Sequence, residues 1–347
     1  MLAPCAGSPS QEVQATDFAF AAVCGDGRVV AWGDPDFGGD CSGVQEQLTS
    51  VEQIQSTGAA FAALKTDGSV VVWGHPIFGG DARAALRRCG GVRSVQASYA
   101  AFAAIGRDET VVSWGDTEKG GDDMKETGVQ QIQATRAAFA AVLRTGRVVT
   151  WGCPQSGGDS RDVQDRLRNV QQIQASGGAF AAILQDGSVV TWGDPDKGGN
   201  SSHVQAQLVE VQQIQASRDA FAALCTDGRV VTWGSQRGGG DCGRVKERLK
   251  DVQQIQATTH AFAALLGDGS VTGIKGKQRR TWMEREDPKT EPKTSFLGFG
   301  GDATRISSRG ASRLLGVPFG VRMVPCAELG CGTLGELGPL SIKMGDE

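Results

Sequence analysis

Apolar positions return along this chain in a fixed order. In the segment Val170–Gly199, Val170, Ile173 and Ala175 suggest a first short strand. Ala179–Leu184 is apolar on both faces, as in a strand buried on both sides. Asp186-Gly187 predicts a two-residue hairpin turn of type I′, which needs positive φ at both central positions. Ser188–Trp192, rich in β-branched Val and Thr, reads as the returning strand. A Gly-rich loop then ends in Gly-Gly-Asn, and Val204 and Leu208 follow, four residues apart. With Val44/Leu48, Val163/Leu167 and Val245/Leu249, that spacing behind Ser or Asp predicts a capped helical stretch of narrow apolar face, lying on an outer surface.

The same order of elements occurs seven times. Phe-Ala-Ala begins at Phe20, Phe61, Phe102, Phe139, Phe180, Phe221 and Phe262, at intervals of 41, 41, 37, 41, 41 and 41 residues. Trp-Gly follows at Trp32, Trp73, Trp114, Trp151, Trp192 and Trp233, but not after Phe262. The short interval reflects a four-residue deletion near Met124–Gly128, in the helical stretch. No single unit can bury both faces of its Phe-Ala-Ala strand, so units must stack, and a ring removes the exposed ends. The pattern therefore predicts an all-β chain, a seven-bladed β-propeller of 41-residue repeats, each with a short outer helix. The lost Trp-Gly predicts an incomplete seventh blade. The chain divides into an extension at 1–10, the propeller at 11–271 and a tail of little order at 272–347.

The spacing Ala-x-Gly, an apolar strand, then Asp-Gly-x-Val-x-x-Trp-Gly and a further Gly resembles the regulator of chromosome condensation repeat. Ala175, Gly177, Asp186, Gly187, Val189, Trp192, Gly193 and Gly198 carry the match in the fifth copy. The resemblance spans about residues 11–271 and implies a seven-bladed propeller. Family repeats are longer, carry a His where this chain has Ala179, and follow Trp-Gly with Gly-Gln-Leu-Gly rather than Gly-Gly-Asp/Asn. The founding member exchanges nucleotide on a small GTPase and binds chromatin. Exchange needs a loop inserted between blades, and the near-constant spacing here leaves no room for one. Other relatives belong to large ubiquitin ligases, but the tail shows no ligase domain. The resemblance implies fold more than activity.

Charge separates the repeats from the tail. Of 35 Lys/Arg and 39 Asp/Glu, residues 272–347 hold 12 and 9, so the tail is net +3 and residues 1–271 net −7. An acidic globule of this kind is not expected to bind nucleic acid. The one basic run, Lys275, Lys277, Arg279 and Arg280 beside Trp282, reads as a solvated linker. Phe299–Asp302 repeats the Phe-Gly-Gly-Asp of Phe37–Asp40 and Phe78–Asp81, as if the end of the seventh copy were displaced. The nine Cys, including Cys24, Cys41, Cys153, Cys225 and Cys242 at repeat slots, lack the spacing of a disulfide framework or of a zinc site. A reducing compartment, cytoplasmic or nuclear, is expected. Met1–Gln11 has no apolar signal-peptide region, and no stretch is long enough to span a membrane.

Candidate chemistry is sparse. His75, His203 and His260 fall at three different repeat positions, beside no recurring Ser or Cys, so no nucleophilic constellation is expected and the protein reads as no enzyme. Acids after Trp-Gly (Asp34, Asp36 and Asp40; Asp116, Glu118 and Asp122; Asp194 and Asp196 with Asn200) could hold Ca²⁺. Other copies break the set with His75, Ile77, Cys153, Gln155, Ser235 and Arg237. Only Asp40, Asp81, Asp122, Asp159, Asn200 and Asp241 persist, and they read as loop stops and helix caps. The Trp set reads as inter-blade packing.

The most regular polar feature is a Gln in every copy: Gln14, Gln55, Gln96, Gln133, Gln174, Gln215 and Gln256. In a ring these form a circle of seven amides, read either as a ladder serving backbone groups or as a rim that grips a partner. The expected function is a non-catalytic protein-interaction scaffold, monomeric and without cofactor. The resemblance offers two alternatives, an exchange regulator of a small GTPase and the propeller fragment of a ubiquitin-ligase-type protein.

Overall fold

The computed structural model describes residues 10–122 and 124–276. Seven three-stranded antiparallel sheets follow one another along the chain, each in the order first, second, third strand. Blade 1 comprises Ser10–Ala15, Ala19–Cys24 and Val29–Gly33, and blade 5 comprises Val170–Ala175, Ala179–Leu184 and Val189–Gly193. Blades 2, 3, 4 and 6 occupy 51–74, 92–115, 129–152 and 211–234. The first strands of consecutive blades lie side by side, and the third strands carry the outer turns. The chain is thus all-β and seven-bladed, of propeller type, as its period requires.

Each hairpin loop is one residue longer than the two-residue turn that Asp-Gly suggests. In blade 5 the Gly187 amide donates to Leu184 O and the Leu184 amide to Ser188 O, which closes a three-residue loop. Of those residues only Gly187 has positive φ, at 76°. The turn is therefore not the two-residue type I′, because Asp186 keeps an ordinary backbone and uses its carboxylate to accept from the Ser188 amide, at 2.9 Å. In blade 3, where Gly is replaced, Glu109 takes the left-handed position at φ 65°.

Blades pack face to face through one recurring lock. Phe180 stacks on Trp192 with ring centroids 5.2 Å apart, and both are buried. They sit against Ala138, Ala140, Val142 and Val148 of blade 4. The Trp192 indole Nε1 donates to the carbonyl of Gly157, in the loop leaving blade 4, at 3.0 Å. Gly157 has φ 91°, and a Cβ there would stand 2.6 Å from the Phe180 ring. The first Gly of Gly-Gly is thus the seat of the next blade's Phe, which explains both its left-handed backbone and its lack of a side chain. Trp73, Trp114, Trp151 and Trp233 make the same bond to Gly38, Gly79, Gly120 and Gly198. Packing between blades, expected for the Trp set, is what the structure places there.

A second tie runs through the backbone. The turn between first and second strands donates its amide to the equivalent carbonyl of the next blade: Asp17 to Gly58, Gly58 to Tyr99, Tyr99 to Arg136, Arg136 to Gly177, Gly177 to Arg218 and Arg218 to Thr259. Six bonds in series join all seven blades. No hydrogen bond among the described residues joins blade 7 to blade 1.

The terminal blades differ from the rest. Blade 7 has all three strands, Val252–Ala257, Ala261–Leu266 and Val271–Lys275, so the expected incompleteness is narrower than a missing strand. Ile274 pairs with Phe262 where Trp233 pairs with Phe221, and β-branched Val271 and Thr272 suffice for the pairing without Trp-Gly. Its outward face is uncovered, with Leu265 38% and Val271 66% exposed. In blade 1 Phe20 is 36% and Trp32 40% exposed, whereas Phe61 is 0% and Trp73 5%.

The outer helical stretches are mostly 3-10 rather than α-helical. Ser42–Gln47, Arg161–Arg166, Gln205–Gln207 and Lys246–Arg248 are 3-10 turns, Arg83–Leu86 is a single α turn, and the described residues of 124–128 hold none. Two apolar residues four apart bury too little surface to hold a longer helix. Lys277, Arg279, Arg280, Trp282, the Phe299–Asp302 segment, the 1–9 extension and the tail from 277 lie outside the described residues.

Candidate interaction surface

The seven Gln occupy one slot on the first strand of each blade, the residue before its last. Gln174 pairs across the sheet with Ala181 and Gln215 with Ala222, on the face turned to the following blade. Gln14, Gln55, Gln96, Gln133, Gln174 and Gln215 are half-buried, and Gln256, on the uncovered face of blade 7, is exposed. Gln14 donates to Glu12 at 2.8 Å. The other six make no side-chain hydrogen bond to a described residue. The reading as a ladder that serves backbone groups finds no support in this arrangement. Beyond Gln14, the row is a set of aligned amides whose hydrogen-bonding capacity is unspent among the described residues.

A second Gln position shows what a structural amide looks like here. Gln45, Gln164 and Gln205, on the outer turns, donate to Val29 O, Val148 O and Val189 O of the preceding third strand at 3.1, 2.9 and 3.0 Å. Period reasoning overlooked these, and also a hydroxyl row. Thr57, Ser98, Thr135, Ser176 and Ser217 each donate to a carbonyl of the loop that leaves their own blade, at 2.8–3.0 Å. Thr16, Thr57, Ser98, Thr135, Ser176, Ser217 and Thr258 stand at the same slot of every copy, so the signal was present in the sequence.

The acidic loops are engaged in turn-making. Asp34, Asp116 and Asp194 accept from the amides of Asp36, Glu118 and Asp196 at 2.9–3.0 Å, capping the Pro35–Phe37 turn and its equivalents. Asp40, Asp81, Asp159, Asn200 and Asp241 accept from the amide two residues on, as loop stops do. These bonds lie just outside the outer turns, whose own N-terminal positions have no side-chain cap. Side-chain hydrogen bonds from Arg83 and Arg161, with the backbone bonds, hold the carboxyls of Asp81 and Asp159 down at about 2. Among the described residues no group of three His, Cys, Asp or Glu could hold a metal ion.

Other candidate chemistry is dispersed. His75 packs edge-on against Phe78 at 5.4 Å, and its buried Nδ1 has no partner. Burial pushes the thiols of Cys41, Cys89 and Cys225 up, away from the thiolate a nucleophile needs. Cys24 is disulfide-bonded, unlike Cys41, Cys89, Cys153, Cys225 and Cys242. An outer cleft between blades 4 and 5 is lined by Asp159, Ser160, Thr191 and Trp192, and each of these is committed to a bond inside the fold. No helix of the described residues is long and apolar enough to cross a membrane.

No family model matches the chain, and no curated protein matches it. Among solved structures, Prp20p from Saccharomyces cerevisiae, studied with its binding to Gsp1p and histones, is similar at 16% identity over 68% of this chain and 74% of that one, with a TM-score of 0.42. Human WBSCR16 is similar at 16% identity over 78% and 87%, with a TM-score of 0.44. The CRINKLY WD40 ectodomain of the Arabidopsis thaliana receptor kinase ACR4 is similar at 13% identity over 77% and 98%, with a TM-score of 0.42.

Proposed function

We propose that this seven-bladed repeat protein is a non-catalytic scaffold that binds other proteins, and that the Gln row on its first strands is the contact surface. One observation carries the reading: six amides at one repeat slot, none of them fully buried, leave their donors and acceptors unpaired within the described residues. A carboxamide offers the same donor and acceptor as a peptide group, so a periodic row of them suits an extended backbone segment. Everything else that recurs has work inside the fold: Trp and Phe in the blade lock, Asp and Ser/Thr in the turns, the outer Gln in holding the outer turns. A cytoplasmic or nuclear protein partner fits this reading.

The test is affinity capture with the full chain and with a Gln133→Ala/Gln174→Ala/Gln215→Ala variant, quantified by mass spectrometry. Loss of a defined protein set, at unchanged thermal stability, is expected. The same set retained in full would overturn the Gln row as the contact. Nucleotide release from small GTPases, measured alongside, should be unaccelerated.

A further inference from the structure

We infer that the protein self-associates head to tail, the outer face of blade 7 in one copy seating the outer face of blade 1 in the next. The surfaces are the two halves of an interface that the chain itself makes five times with a Phe–Trp pair, in blades 2 to 6. Within the molecule, the second strand of each blade presents its first, third and fifth residues to the following blade; Ala220, Ala222 and Leu224 do so in blade 6, and all are buried. The same positions in blade 7 are Ala261, Ala263 and Leu265, of which Ala263 and Leu265 are exposed. Val271 stands where Val230 is buried. The complementary half is the Phe–Trp pair, buried in blades 2 to 6. In blade 1 Phe20 and Trp32 stack at 5.5 Å and face solvent. Ala22 and Cys24, nearer the hairpin of that face, are already covered, so the open part is the Phe20–Trp32 end.

The backbone agrees with the side chains. In the series of turn bonds, the amide of Thr259 has no acceptor and the carbonyl of Asp17 has no donor among the described residues. These are the donor and acceptor that a seventh bond of the same series would use. A stacked copy therefore continues two repeating features in phase, the open Phe20–Trp32 end of the apolar seat and the turn series.

One element does not repeat. Blade 7 carries Ile274 in place of Trp, and among the described residues no Gly-Gly loop follows to accept from Trp32 Nε1. The contact is therefore weaker than an internal one and reversible. Its two sides differ, so it is heterologous, and growth continues beyond a dimer.

The experiment uses the full chain in sedimentation velocity and light scattering across a wide concentration range, with two end-blocking variants, Phe20→Glu and Leu265→Glu. Both positions are exposed, and circular dichroism confirms folding. The wild type should rise in mass with concentration past two chains. Each variant alone should stay at one chain. Their equimolar mixture should double in mass and stop, because one intact head meets one intact tail. A wild type of single-chain mass at every concentration would overturn the inference. So would undiminished association of either variant, or a Phe20→Cys/Leu265→Cys cross-link formed within one chain.

Discussion

Blade 5 and blade 1 are built from nearly the same residues and end in different surroundings. Phe180 and Trp192 lie against the loop of blade 4, fully enclosed, with the indole bonded to Gly157 O. Phe20 and Trp32 keep the same ring stacking, but among the described residues no other blade covers them, and they are 36% and 40% exposed. The difference teaches that the lock is a property of the interface and not of the blade. Intrablade pairing is complete in both, whereas burial of the aromatic pair depends on the neighbour. Stability should follow the same division, as a sum of repeat and nearest-neighbour contributions.

The largest expected effect separates interior from end. Phe180→Ala removes a buried ring and should cost about 3–5 kcal/mol, while Phe20→Ala, at a ring already 36% exposed, should cost about 2 kcal/mol. Urea denaturation of the two variants measures this, and equal losses would break the comparison. Next comes the glycine seat. Gly157→Ala meets both a left-handed backbone and the Phe180 ring at 2.6 Å, so about 3 kcal/mol or more is expected. Gly269→Ala, with φ 82° and nothing within 4 Å, should lose only the backbone preference, about 1–2 kcal/mol. Calorimetric midpoints rank the pair.

Smaller still is the indole bond. Trp192→Phe leaves Gly157 O unpaired and should cost about 1–2 kcal/mol beyond the lost ring area, whereas Trp32→Phe has no such bond to lose. The smallest effect is local and electrostatic. Asp81 titrates at about 2 in the folded chain, below its ordinary 3.8, chiefly because of the Arg83 side-chain hydrogen bond. A depressed carboxylate contributes in full above its ordinary value and loses the contribution as pH falls through the folded value. The Asp81 carboxyl resonance should therefore move near pH 2, and Arg83→Gln should bring it back toward 3.8. Asp26, paired with Arg28 in the hairpin of the terminal blade, should also titrate below 3.8, since this turn chemistry does not depend on a neighbour.

Much of the fold was legible because its determinants are local or periodic. The alternation within Val170–Ala175, the doubly buried Ala179–Leu184 and the Asp-Gly turns fall where the strands and hairpins are. Three things were not legible. The third strand of blade 7 lacks its Trp-Gly marker, and pairing with Phe262 is a contact no local signal announces. The hairpin loop has three residues because strand twist and the Asp186 carboxylate set its geometry, while Asp-Gly alone fits two types. The turn series from Asp17 to Thr259 uses backbone groups, so residues as unlike as Gly58, Tyr99 and Arg218 share one role. At the candidate surface, the Gln row was visible as a period, but its idle amides could be recognised only once Gln45, Gln164 and Gln205 showed what a bonded Gln does in this fold.

The central claim is that six turn bonds in series join the seven blades and that, among the described residues, blades 7 and 1 do not meet. Native-state hydrogen exchange of the turn amides in dilute solution tests it most directly. Gly58, Tyr99, Gly177 and Arg218, whose amides donate to the next blade, should exchange slowly, and the Thr259 amide should exchange at the rate of an open loop. Protection of Thr259 equal to that of Gly177 would contradict the account, because it would mean that blade 7 has found blade 1 and the ring is closed.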